Sequence, residues 1–444
     1  MFDIVIAGGI IVSSHNAYKA FRGSVGISGD RIALVTQREL TPTDAAEFVD
    51  ATGRIVMPGL INGHCHGDMA AAKGLGDGMT LLEQMTEFGK CGWFLPYLSD
   101  DERFYARQHT YCEALLSGTT TLIENMFWSL GKRSQQAFRE VGLRGAEAED
   151  IRYDFMESDA FLTDKMVKAF SAECEKNSCI PLLGTLPEEE FTEDRLKKTA
   201  GIVNASGCRF TSHLSETKWR YDAAIDKFGI SPVKVLDSFG LLNERYIGSH
   251  GVWLDEDDVR IMAERGAKLI STPICELKIA DGLSPIRKLL DSGVRVGLGT
   301  DGAMWNNSND LFREMKCMAL AHNLNYGANA ITPKEILDMA TVNGAAALGF
   351  ESELGTIEEG KLADIILVNC TAPHMTPLHY GLYDNVSSAL VFCATGADVT
   401  DVLVSGRFAV RDKKLTKCDL GRIQREVQCS SSELIKKHFR RGTS

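Results

Sequence analysis

The chain has 444 residues, too many for one ordinary core but enough for a barrel of roughly 250–350 residues beside a smaller domain. Its 44% hydrophobic and 24% charged residues belong to a folded globular protein and argue against disorder. A formal net charge of -12 argues against nucleic-acid or anionic-membrane partners, which require a basic face, and favours a small-molecule substrate.

From residue 1 to about 56, β-branched runs (IVIAGGIIV, GSVGISGDRIALV, GRIVM) alternate with Gly and Asp turns and predict small antiparallel β-structure. The opening MFDIVIAGGIIVSS lacks a positive n-region and a cleavage site, so it is expected to form strands rather than a signal peptide. From Pro58 onward come GLINGHCH, GTTTLIE, GLRGAEAE, CIPLLGTLP, CRFTSHLSE, RYIGSHGVW, AKLISTPI and VRVGLGTDG, each followed by helix-period text. Eight strand-then-helix units predict a closed parallel barrel, because parallel strands need helical crossovers.

After helical text over 311–348, strand-like text returns in LGTIEEGKLADIILVN and VTDVLVSGRFAV and is expected to rejoin the N-terminal strands. The predicted fold is an α/β TIM (β/α)8 barrel over 58–355, with a small discontinuous β-sandwich from both chain ends, 1–57 and 356–419. The charged tail 420–444 predicts a solvated surface helix. No run reaches the roughly 20 apolar residues that span a bilayer, so no membrane partner is expected. The 12 Cys are scattered without a CxxC pair, which favours a reducing cytoplasm over a disulfide framework.

His64 and His66 stand one residue apart at the end of the first predicted barrel strand, where strand alternation turns both side chains to one face. Alone, such a pair is often structural. His213, His250 and Asp301 each fall at the C-terminal end of a different predicted strand, on the face where barrel enzymes carry their chemistry. A single strand-end histidine is ordinarily a core residue and a single Asp in GTDG a helix cap; the five together point to a site.

In this order PGLINGHCH, HLSE, SHGVWL and GTDG, with TPKEILDMATVNGAAALG behind them, resemble the amidohydrolase superfamily over nearly the whole chain. Within it the match is to the branch of methylthioadenosine/S-adenosylhomocysteine deaminases and chlorohydrolase-like triazine hydrolases. The resemblance implies that His64, His66, His213 and Asp301 bind one divalent metal per chain, while Glu216 and His250 act on substrate and water. Three neutral imidazoles and one carboxylate suit Zn²⁺ or Fe²⁺ and leave room for a water, whose pKa the ion lowers. Asp301 then serves as general base, Glu216 protonates a ring nitrogen, and His250 orients the hydroxide or stabilises the leaving group. Because the family commonly forms dimers, a homodimer is expected too.

Cys65 should point away from the metal by strand alternation. Met69 follows the first strand, where the branch places substrate-facing loops, and Asn306 and Asn307 match an Asn pair that braces the turn or shapes the pocket. Three positions depart from the nucleoside-deaminating pattern: Leu98 after WFLPY where a ribose-binding glutamate is usual, Leu186 in TLPEEEF where a purine-contacting histidine is usual, and Trp305 in place of a small residue. Glu188 in the run Glu188-Glu189-Glu190 is a candidate acceptor for amino-rich substrates, although such a run is ordinarily a solvated loop. The expected activity is hydrolytic deamination of an amino-substituted purine, pyrimidine, pterin or triazine, excluding nucleosides. The alternatives are dechlorination or dealkylamination of a triazine-like ring, and methylthioadenosine/S-adenosylhomocysteine deamination. Cyclic-amide opening is disfavoured because no strand offers an obvious bridging Lys, and a non-catalytic scaffold because the ligand set is intact.

Overall fold

A computed structural model describes residues 1–88, 98–125, 133–152 and 160–441, with side chains to residue 437. Residues 93–97 of the WFLPY text lie outside them. The chain divides into two compact units.

The first unit comprises residues 1–62, 113–121 and 310–418. Its centre is a nine-stranded sheet drawn from both chain ends. Arg54–Pro58 pairs antiparallel with Ile365–Asn369, Val56 opposite Leu367, and this is the seam between the two ends. The expected purely antiparallel arrangement is replaced by a mixed one, because Phe2–Ile11 runs parallel to Ala45–Asp50 and to Arg54–Pro58. Strand alternation then feeds two apolar layers: Ile4 and Ile6 pack with Val25, Ile27 and Leu367, while Val5 and Ala7 pack with Leu40 and Ala45. The helices Leu311–Tyr326, Pro333–Ala340 and Val342–Leu348, assigned to the barrel domain from the sequence, group with this unit.

The second unit comprises residues 63–112, 122–309 and 419–444. All eight predicted strand runs form the barrel sheet in chain order: Leu60–Cys65, Thr119–Asn125, Arg144–Asp150, Ile180–Gly184, Arg209–Leu214, Tyr246–His250, Lys268–Ser271 and Arg295–Leu298. The parallel register sets His213 opposite Ser249 and Leu214 opposite His250. The last strand returns to the first at the chemical end, where Thr300 N and Asp301 N both donate to His64 O, at 3.0 and 2.9 Å. That approach explains Gly299, since a Cβ there would lie 2.8 Å from the backbone nitrogen and Cβ of His64.

The charged tail forms the helix Leu420–Arg441, mostly exposed along its described side chains, with Ile423, Val427, Ser430 and Leu434 buried along one face. Val427 packs against Ala70 and Ala106. Leu434 joins a core cluster with Met69, Leu98, Cys275 and Trp305. Few apolar residues make these contacts, spaced along one face of an otherwise polar helix, which is why composition concealed them.

Candidate active site

Strand alternation separates three neighbours at the end of the first barrel strand. His64 and His66 turn to one face, their ring centroids 4.9 Å apart, whereas Cys65 turns away and donates to Asn309 Oδ1 at 3.5 Å. His66 Nδ1 lies 2.7 Å from the carbonyl oxygen of Asn125. A carbonyl can only accept, so Nδ1 carries the proton and Nε2 presents its lone pair. His64 Nδ1 lies 2.8 Å from both Ser249 Oγ and the side-chain amide nitrogen of Asn125, which fix the ring with Nε2 on the Asp301 side.

These atoms converge. His66 Nε2 is 3.3 Å from His213 Nε2 and 3.4 Å from Asp301 Oδ1, and His64 Nε2 is 3.6 Å from the same oxygen. Donors about 2.0–2.1 Å from an ion in a tetrahedron stand about 3.3–3.4 Å apart, which these three separations approach; the donor atoms of His64, His66 and Asp301, and those of His64, His213 and His250, lie within 4.8 Å of one another. Burial lowers the pKa of His66 to about 4, with the Asp301 charge opposing, and drives His213 well below its usual range. Both rings are therefore neutral at physiological pH, as ligands must be. Burial opposes ionisation of Asp301, but His64 beside it and the imidazoles of His66 and His250 hold its carboxyl well below the usual range.

Asp301 is held in a left-handed backbone conformation, φ 60°, rare for a non-glycine residue and commonest where a site fixes a side chain. Gly302 N donates to its Oδ1 at 2.7 Å, and the turn is braced by Asn306 Nδ2 donating to Thr300 O at 2.7 Å. His250, also left-handed at φ 74°, lies across from it. The Thr272 hydroxyl donates to Glu276 Oε1 at 3.4 Å and sits 2.9 Å from His250 Nδ1, so it accepts the Nδ1 proton and leaves Nε2 with the lone pair. Nε2 makes no hydrogen bond among the described residues; it lies 3.8 Å from Glu216 Oε1 and 4.0 Å from Asp301 Oδ2. Burial lowers the His250 pKa to about 3, again leaving a neutral ring.

Glu216 sits on the turn leaving the strand Arg209–Leu214. The preceding Ser215 is left-handed, φ 47°, and its amide donates to Glu188 Oε1 at 2.5 Å. Arg220 Nη1 pairs with Glu216 Oε2 at 2.5 Å while Arg220 Nε reaches Glu189 Oε2 at 3.0 Å. Burial raises the Glu216 pKa, with Arg220 pulling the other way. The acidic run before it is not the solvated loop that its composition favours: Glu188 and Glu190 are buried, and Glu190 pairs with Arg195 at 3.4 Å.

Of the candidate substrate contacts, Trp305 stands edge-on to His66 with centroids 5.4 Å apart. Met69 and Leu98 pack with Trp305 in the core cluster below, and Leu186 is buried at φ 82°. Glu188 and Asn306 brace the turns carrying Glu216 and Asp301. Sequence reasoning missed Asn125, Ser249, Thr272, Cys275, Glu276 and Arg220. Cys275 Sγ donates to Asp301 Oδ2 at 2.9 Å. The text STPICELK carried a signal, a polar strand end followed by a proline-led helix, but nothing in it reveals a contact across to residue 301.

Residues 55–409 match the model of the Amidohydrolase family. The chain belongs to that family. It is a metal-dependent-family hydrolase acting on C–N bonds other than peptide bonds, and its curated relatives are deaminases. It is 32% identical to a 5'-deoxyadenosine deaminase of Methanothermobacter thermautotrophicus over 93% of this chain and 95% of the relative. It is 33% identical to a 5-methylthioadenosine/S-adenosylhomocysteine deaminase of Pyrococcus furiosus over 92% and 95%. Among solved structures, an adenosine deaminase from Xanthomonas campestris with bound zinc superposes with a TM-score of 0.88 at 25% identity, covering 98% of this chain and 99% of that one. The fold is shared with atrazine chlorohydrolase of Arthrobacter aurescens, complexed with zinc, at a TM-score of 0.84 and 23% identity over 96% and 100%. The exclusion of nucleosides drawn from Leu98, Leu186 and Trp305 finds no support in relatives whose named substrates are nucleosides. No described helix is long and apolar enough to cross a membrane.

Proposed function

We propose that the chain is an aminohydrolase that replaces the exocyclic amino group of a nitrogen heterocycle by oxygen and releases ammonia, with adenosine-type nucleosides within its range. The observation that carries this reading is the placement of His250 Nε2 between two carboxylates of different role, 3.8 Å from Glu216 and 4.0 Å from Asp301. His64, His66, His213 and Asp301 Oδ1 would hold one divalent ion, Zn²⁺ in keeping with the relatives, and the ion would supply Lewis-acid activation of water. Asp301 Oδ2 accepts the water proton. Glu216, whose pKa burial raises, donates a proton to the ring nitrogen beside the carbon under attack. His250, fixed by Thr272, accepts a hydrogen bond from the attacking water and aims it. The proton on Asp301 then passes to the departing amine, and the hydroxyl proton of the adduct returns to Glu216 as the C–N bond breaks and the C=O forms, so water and amine go in, oxo product and ammonia come out, and both carboxylates are restored.

The test is ammonia release by zinc-replete enzyme from methylthioadenosine, S-adenosylhomocysteine, 5'-deoxyadenosine, adenosine and a panel of free amino-heterocycles. Release from at least one, with a kcat/KM above about 10⁴ M⁻¹s⁻¹, is expected. No release from any, or chloride release from a chlorotriazine without ammonia release from the panel, would overturn deamination.

A further inference from the structure

The two oxygens of Asp301 face different donor sets. Oδ1 looks toward His64 and His66, at 3.6 and 3.4 Å. Oδ2 looks toward Cys275 Sγ at 2.9 Å and His250 Nε2 at 4.0 Å. Cys275, His250 and Asp301 offer donor atoms that all lie within 4.8 Å of one another, and all three side chains are buried. His250 Nε2, aimed into this group, has no hydrogen-bond partner among the described residues.

We propose that His250 Nε2, Cys275 Sγ and Asp301 Oδ2 form a second cation position beside the first, selective for thiophilic divalent ions, with Asp301 bridging the two. Tetrahedral N, O and S donors at about 2.0–2.3 Å from an ion stand roughly 3.3–3.6 Å apart, and the observed 2.9 and 4.0 Å bracket that spacing. Glu216 Oε1, 3.8 Å from His250 Nε2, is the natural fourth donor. Carboxylate-bridged pairs of ions sit about 3.5–4 Å apart, a span one Asp side chain covers. The thiol makes the position soft: Zn²⁺ and Cd²⁺ suit it, whereas Mg²⁺ and Mn²⁺ prefer all-oxygen sites. Binding breaks the S–H bond, forms the metal–sulfur bond and releases the thiol proton to solvent. An ion here occupies both His250 and Asp301, so it competes with the hydrolytic reaction and would act as an inhibitor.

The inference rests on the assignment of the first ion to Asp301 Oδ1 and its histidines, and the two fail separately. The probe is Cd²⁺, titrated into apo enzyme and into C275S, with bound ion counted by equilibrium dialysis and the cadmium–thiolate ultraviolet band recorded. Expected are two ions per chain in the wild type, the band rising with the second equivalent, and one ion without that band in C275S. A single ion with no Cys275-dependent band overturns the second position. A Cys275-dependent band already complete at one equivalent overturns it in favour of a thiol in the first site. No bound ion at all removes both assignments. If C275S fails to fold, Cys275→Ala under the same titration decides.

Discussion

His66 donates its Nδ1 proton to the Asn125 carbonyl at 2.7 Å while its Nε2 faces His213 Nε2 at 3.3 Å. Two imidazole nitrogens this close, both on neutral rings, are placed to bind one cation between them. His66→Ala or His213→Ala should therefore lower the zinc content from about one ion per chain to a small fraction of that, roughly 10-fold or more. Elemental analysis of the purified variants is the check, and full retention by both would remove the metal assignment.

Glu216→Gln keeps size and polarity but cannot deliver a proton. It should retain metal and lose at least roughly 10²-fold in kcat. Near-normal turnover would make the carboxylate a structural partner of Arg220, paired at 2.5 Å.

Thr272 acts on His250 only through the Nδ1 bond at 2.9 Å. Thr272→Val removes the acceptor for that proton, and Thr272→Ser keeps it. The Val variant should lose about 10–100-fold in kcat with KM little changed, and the Ser variant should recover most of it. Equal loss in both would point to packing rather than to the hydroxyl.

Glu188 is held protonated by burial, its pKa pushed up to about 8 from 4.5, with the Ser215 amide opposing. The folded state then binds one more proton than the unfolded state between those values, so stability falls as pH rises from about 4.5 to about 8 and levels off above. Glu188→Gln preserves an acceptor for the Ser215 amide without the titration. Thermal melts from pH 5 to 9 should show the wild type losing several degrees relative to E188Q, most of it below pH 8; parallel curves would contradict the buried proton.

Much of this architecture could be read directly from residue order. Eight short runs, each followed by helix-period text, became eight barrel strands, and His64, His66, His213, His250 and Asp301 meet because parallel strands align their chemical ends. The other contacts are long-range. Thr272, Cys275 and Glu276 look like the start of a proline-led helix, and only closure of the barrel sets residue 275 against residue 301. Glu188 and Glu189 look like exposed charge until Ser215 and Arg220 are seen to take them up. Burial of a charged side chain depends on its partner, and partners distant in sequence leave no local periodicity.

Joining Arg54–Pro58 to Ile365–Asn369 has a price in time. When the N-terminal strands leave the ribosome, the strand that will cover that edge lies on the order of 300 residues downstream, about 15–60 s of synthesis at ordinary rates. Through that interval an apolar sheet edge carrying Ile55 and Val56 stands open to any other nascent chain. Crowded expression should therefore yield aggregates seeded by the first 60 or so residues, and slower translation or an added holdase should recover soluble enzyme without any change in the barrel.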